Sequence, residues 1–157
     1  MALLNSLAEF ESLLENRPEH TRTYQIAPTI APEMHKVIQA REIVSDLRWR
    51  VMNPTEMQEL ASYLEISVAE LHGPFSVSDI HCHGCGRHLT ILDIAKTSVD
   101  TGLHSKAVLA QVMTGHAGQW VTVRGQDGGR YADCAACGQK SQAPFKLYAC
   151  PVYYLWA

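Results

Sequence analysis

Apolar residues recur at helical spacing from the start of the chain. Leu3, Leu7, Phe10 and Leu14 share one face, with Leu4 and Leu13 beside it, until Pro18 stops the pattern. Residues 17–31 show little periodicity and carry Pro18 and Pro28, which predicts a loop or short extended segment packed on the surface. Pro32 suits the first turn of a second helix, with Met34, Val37, Ile38, Val44, Leu47 and Val51 on its apolar face. Asn53-Pro54-Thr55-Glu56 reads as a helix start: Asn53 caps, Pro54 fits the first turn, and Glu56 stands where a capping-box carboxylate reaches back. The helix it opens carries Met57, Leu60, Ala61 and Leu64 on one stripe. Ser67-Val68-Ala69-Glu70 repeats the S-x-x-E signature and opens a short helix that Gly73-Pro74 ends.

Beyond Gly73-Pro74 the period changes. Phe75-Ser76-Val77-Ser78 alternates like a strand. His88 to Val99 is rich in β-branched residues and reads as a strand, with a helix as the alternative that periodicity leaves open. Ser105 to Gly115 is a helix, capped by Ser105, with Val108, Leu109, Val112 and Met113 on one face. Trp120-Val121-Thr122-Val123 is a strand, and Gly125-Gln126-Asp127-Gly128-Gly129 turns the chain back through Arg130 to Asp133. The run from Phe145 to Trp156 is apolar and aromatic, broken by Pro151, which suits a strand with an edge position or bulge.

Composition bounds the picture. The 157 residues suffice for one domain core, or for two small units sharing one. No apolar run approaches the roughly 18 residues that span a bilayer, so no membrane partner is expected. The opening Met1-Ala2-Leu3-Leu4-Asn5-Ser6 lacks the basic start of a signal peptide, which points to the cytoplasm. A net charge of -3 disfavours a broad phosphate-binding surface.

Chemistry concentrates in two phrases, Cys82-His83-Gly84-Cys85-Gly86 and Cys134-Ala135-Ala136-Cys137-Gly138. Each is C-x-x-C-G, and together they use four of five cysteines. Two residues between thiolates let one short turn offer both sulfurs to a single ion, and the following glycine takes the positive φ that closes the turn. In a reducing compartment such pairs are more often metal ligands than structural disulfides. The expected site is therefore a tetrahedral zinc ion held by Cys82, Cys85, Cys134 and Cys137. Iron in a rubredoxin-like site, and a pair of redox-switch disulfides, are the rivals, since rubredoxins also present two C-x-x-C-G turns.

His81 and His83 flank Cys82, and His88 follows Cys85 by three. They read as outer-side residues bonded to backbone or water, with a mixed Cys/His shell or a functional role as alternatives. Cys150 reads as a small buried apolar residue. No H-E-x-x-H, G-x-S-x-G, G-x-x-x-x-G-K-[ST] or G-x-G-x-x-G occurs, and the histidines lack the following glutamate that zinc deaminases require.

The expected fold is α+β: a helical unit over residues 1–73 packed on a zinc-ribbon-like β unit over residues 74–157. The segment between the two cysteine pairs is expected to insert a strand–helix–strand. The leading functional reading is a zinc-stapled binding module without catalysis. It would recognise a protein partner or self-associate through Tyr148, Tyr153, Tyr154 and Trp156. A second reading is a nucleic-acid-binding regulator. Leu60-Ala61-Ser62-Tyr63-Leu64-Glu65-Ile66-Ser67-Val68-Ala69-Glu70-Leu71 resembles the core of DNA-binding helix–turn–helix domains, which implies base contact from residues 68–72. Arg41, Arg48 and Arg50 would add a basic cluster. A third reading is a small metalloenzyme whose histidines surround the metal.

Overall fold

The computed structural model describes residues 2–44, 49–116, 118–126, 132–141, 147–149 and 155–156. The fold is mixed α+β, with five α-helices and two small sheets among those residues. In chain order the elements are β1 (Leu3–Leu4), α1 (Leu7–Glu15), β2 (Arg22–Ile26), α2 (Ala31–Val44), β3 (Trp49–Val51) and α3 (Pro54–Leu64). A single 3-10 turn (Val68–Glu70) follows, then β4 (Phe75–Ser78), α4 (Ile91–Asp100), α5 (Lys106–Met113), β5 (Gln119–Val123), β6 (Leu147–Ala149) and β7 (Leu155–Trp156). One sheet has the order β1-β2-β5-β7 and the other β3-β4-β6. Both sheets take strands from either side of residue 73.

Two apolar cores result. The first packs α1 and α2 on the four-stranded sheet through Phe10, Leu14, Tyr24, Ile26, Met34, Ile38, Val121 and Val123. The second gathers α3, α4, α5 and β4 through Leu60, Leu64, Phe75, Val77, Leu89, Ile91, Ile94, Leu109 and Val112, and it includes Cys82 and Cys134. Strand β5 serves both. Successive side chains on a strand point to opposite faces, so Val121 and Val123 enter the first core while Trp120 enters the second. Both faces of the strand are therefore buried, Thr122 included.

Several helix boundaries follow directly from caps. Asn53 and Glu56 make the expected capping box, with Glu56 N–H donating to Asn53 Oδ1 at 2.8 Å. Glu56 also receives Arg50 in a bidentate pair at 2.7 and 2.6 Å. That guanidinium, foremost among the causes, holds the Glu56 carboxyl below its ordinary value. Arg50 donates further to the Leu89 carbonyl at 3.1 Å, so β3, α3 and the chain leaving the first cysteine turn are tied at one point.

Three sequence expectations are corrected. Leu3 and Leu4 are not helical: Ser6 caps α1, and Leu3–Leu4 pairs parallel with Gln25–Ile26. The segment expected as a surface loop contains β2, which lies inside the four-stranded sheet, antiparallel to β5. Tyr24 and Ile26 are its inward positions. His88 to Val99 is not a strand. Thr90 accepts from Leu92 N–H, Asp93 reaches back to Thr90 N–H, and α4 follows. This T-x-x-D capping box outweighs the β-branched content because Ile91, Ile94 and Ala95 recur on one buried helical face.

The loop after β5 carries a tight approach. A Cβ on Gly125 would stand 2.4 Å from the His20 carbonyl carbon and 2.5 Å from Thr21 N. Both obstacles are backbone, so Gly125→Ala is expected to destabilise by about 1–3 kcal/mol. A thermal melt shifted by less than the scatter between preparations would contradict that close approach.

Candidate metal centre

The two cysteine phrases fold into matching turns. In the first, Cys82 N–H donates to the Arg87 carbonyl at 2.7 Å and Gly86 N–H to the Cys82 carbonyl at 2.7 Å. In the second, Cys134 N–H donates to the Gln139 carbonyl at 2.9 Å and Gly138 N–H to the Cys134 carbonyl at 2.8 Å. Gly86 and Gly138 have φ of 78° and 80°, the left-handed region that an L side chain resists. In each turn the first cysteine is buried and the second exposed.

The turns face each other. All four sulfurs lie within 4.8 Å of one another. Cys82 Sγ is 3.4 Å from Cys137 Sγ, and Cys85 Sγ is 3.7 Å from Cys134 Sγ. Bonds of about 2.3 Å to a central zinc imply tetrahedral S···S edges of about 3.8 Å, so the quartet has the dimensions of a four-thiolate shell. The faces are close elsewhere too: a Cβ on Gly84 would be 3.4 Å from Cys137 Sγ.

Electrostatics favour a cation among these sulfurs. The Cys85 and Gly84 N–H groups, Cys85 foremost, lower the Cys82 thiol to about 7 against the cost of burial. At Cys137 the Gln139 N–H pulls down, yet the Cys82 sulfur, burial and the sulfurs of Cys85 and Cys134 together push it up to about 12. A negative charge is welcome at Cys82, and Cys137 beside it resists a second. A divalent ion placed among the sulfurs would offset that repulsion.

Two residues that sequence reasoning passed over join the turns. Asp93, fully buried at the start of α4, accepts from Thr90 N–H at 2.6 Å and from Ala135 N–H, inside the second turn, at 2.8 Å. Its other partner is Arg87, which closes the first turn. Burial alone would pull the Arg87 guanidinium down, but Asp93 and the Cys134 sulfur beside it hold it above its ordinary value. Thr97, one turn along α4, accepts from Asp133 N–H at 2.9 Å and donates to the Asp93 carbonyl at 2.7 Å. The first turns of α4 therefore clamp both cysteine turns in register. The Thr90–Asp93 capping signature was the sequence signal for this helix.

Of the histidines, His81 and His88 meet, with Nε2 atoms 3.1 Å apart. His83 is exposed and belongs to neither close grouping of metal-ligating side chains. Among the described residues, the segment between the cysteine turns holds α4, α5 and β5, two helices before one strand, where a strand–helix–strand was expected. Helix α3 has the expected stripe, but the element after its turn is a three-residue 3-10 turn. Glu65 at that turn is left-handed, with φ 60°. Arg50 is committed to Glu56. Arg48, Cys150, Tyr153 and Tyr154 lie outside the described residues, as do the side chains of Arg41, Tyr148 and Trp156. The backbone of Leu155–Trp156 pairs parallel with Val121–Thr122, at the edge of the four-stranded sheet. No helix among the described residues is long and apolar enough to cross a membrane.

No curated protein and no solved structure matches this chain. Residues 17–156, which include both cysteine turns and α4, match the family described as Domain of unknown function (DUF8243), and the chain belongs to that family.

Proposed function

We propose that the chain is a zinc-stapled binding module that recognises a protein partner and does no catalysis at its cysteine site. The observation that carries this reading is the closed sulfur quartet, Cys82, Cys85, Cys134 and Cys137, all within 4.8 Å. Four thiolates complete a tetrahedral zinc shell and leave no position for an activated water, which is the difference between structural and catalytic zinc. Zinc suits the site better than iron on availability alone, since four thiolates accept either. Two matched turns, each flanked by a single antiparallel bridge, support a zinc-ribbon-like reading of the chain around the quartet.

The partner is argued from charge and exposure. The turn tips present His83, Gly84, Ala136 and Gln139 to solvent, a polar and nearly uncharged surface. The whole chain carries a net charge of -3, which disfavours the broad cationic surface that nucleic acid requires. The helix–turn–helix reading loses its recognition helix to the three-residue 3-10 turn.

X-ray absorption at the edge of the metal retained through purification tests the first part. Four sulfur neighbours at about 2.3 Å are expected. A shell with fewer sulfurs and added oxygen would overturn the non-catalytic reading. The partner class is tested by a gel shift at low salt with duplex and single strands, where no retardation is expected. Salt-sensitive retardation would transfer the surface to nucleic acid.

A further inference from the structure

We propose that His81 and His88, with Asp79, form a second divalent transition-metal site, open to solvent, on the outer side of the first cysteine turn. The three side chains present ligand atoms within 4.8 Å of one another, and all three residues are exposed. His81 and His88 are antiparallel bridge partners, held opposite by the turn between them and by Leu89 N–H donating to the Ile80 carbonyl at 2.9 Å. Residues directly opposite on paired strands bring their Cβ atoms to about 5 Å, so two imidazoles seven residues apart converge.

The distances suit an ion. With metal–nitrogen bonds of about 2.05 Å, Nε2 atoms 3.1 Å apart subtend an angle of about 98° at the metal, between octahedral and tetrahedral values. His88 turns Nδ1 toward Asp79 Oδ1 at 3.5 Å. A proton on Nδ1 facing a carboxylate leaves the Nε2 lone pair free, the arrangement that orients metal-ligating histidines. Without a metal, the two Nε2 atoms share one proton in a hydrogen bond, the donor being whichever ring carries it. With a metal, both Nε2 lone pairs face the ion, the shared proton passes through solvent to His81 Nδ1 as that ring takes its other tautomer, and water completes the shell. The rings are more stacked than two in-plane ligands would be, with centroids 3.9 Å apart and a 42° tilt. Loading requires them to splay, and both face water. Arg50 approaches Asp79 at 3.9 Å, but its guanidinium is already matched to Glu56.

The second cysteine turn supplies an internal comparison. Its equivalent bridge is Asp133 opposite Lys140, an ordinary pairing of opposite charges. Closing such a turn therefore needs no imidazole pair, and the histidines at the first turn call for another role. Imidazole and carboxylate together select zinc, nickel, copper or ferrous iron over calcium and magnesium.

The test is a nickel(II) titration of untagged full-length protein, followed by calorimetry and nickel-edge absorption. Zinc is assayed before and after, so the state of the cysteine quartet is read separately. One equivalent of nickel is expected, with nitrogen and oxygen neighbours and no sulfur. His81→Ala and His88→Gln should each abolish it, while zinc content and the far-UV spectrum stay unchanged. Asp79→Asn should weaken it about tenfold to a hundredfold. No nickel bound, nickel on sulfur, or an equivalent that persists in both histidine variants would each overturn the site. Loss of zinc with nickel binding intact would instead count against the cysteine reading alone.

Discussion

Cys82→Ser and Cys85→Ser are both expected to lose the bound metal and to lose stability together. Cys82 is 3 % exposed and packs in the second core, whereas Cys85 is exposed. If the thiols mattered only as packing, serine at Cys85 would be nearly silent and serine at Cys82 would cost about 1–2 kcal/mol. If they are ligands, the two positions are equivalent, because each removes one of four bonds to one ion. Structural zinc sites contribute apparent binding energies of about 10–16 kcal/mol near neutral pH, and that binding energy is folding energy. A whole domain is stable by only about 5–15 kcal/mol. The expected outcome is a fall from one metal per chain to near none in both variants. It should come with loss of cooperative melting in the part built on the second core. A strong chelator should do the same to the unaltered protein. Two variants that melt differently, Cys85→Ser like the parent, would refute the shared-ion account.

Asp93→Ala should produce the next largest loss. The carboxylate is fully buried and faces Arg87, Ala135 N–H and the Thr90 donors. Arg87 is part-exposed and also faces Glu59 at 3.7 Å, so the loss comes chiefly from the Thr90 and Ala135 N–H groups left unsatisfied, at about 1–3 kcal/mol each. Asparagine offers little rescue: one arm becomes an amide donor and opposes either Thr90 N–H or the Ala135 N–H. The double variant Arg87→Met with Asp93→Ala should lose less than the two single losses combined, with a coupling of about 0.5–3 kcal/mol. Because Asp93 also sets the position of the second cysteine turn, metal affinity in Asp93→Ala should fall about tenfold to a hundredfold. Urea unfolding and metal competition measure the two effects. Additive losses with unchanged metal affinity would show that Asp93 is a local helix cap and not a clamp between the turns.

Local rules were the legible part of this chain. Asn53 with Glu56, Ser67 with Glu70, and Ser105 all cap as their spacing requires, because an N-cap involves residues within one helical turn. The strand at Trp120 was equally plain. Errors arose where two local signals competed or where a partner lay far away. At α4 the β-branched Ile91, Ile94, Thr97 and Val99 argued for a strand while Thr90 and Asp93 argued for a helix, and the cap prevailed. At Leu3–Leu4 helical spacing of leucines could not reveal that Gln25–Ile26 waits as a strand partner. The segment holding β2 looked like a surface connection because only its pairing with β5, about a hundred residues later, gives it a place in the sheet.

The candidate sites divide along the same line. The amino-acid sequence by itself determined the donor atoms and the turns that display them, since C-x-x-C-G spacing is decided by a few adjacent backbone angles. Only the tertiary structure decided that the two turns meet across residues 86–133, that Asp93 binds both, and that His81 stands against His88. Turn geometry is a property of neighbours along the chain and can be read there. Convergence of distant segments depends on which apolar faces are buried together, a property of the whole packed molecule.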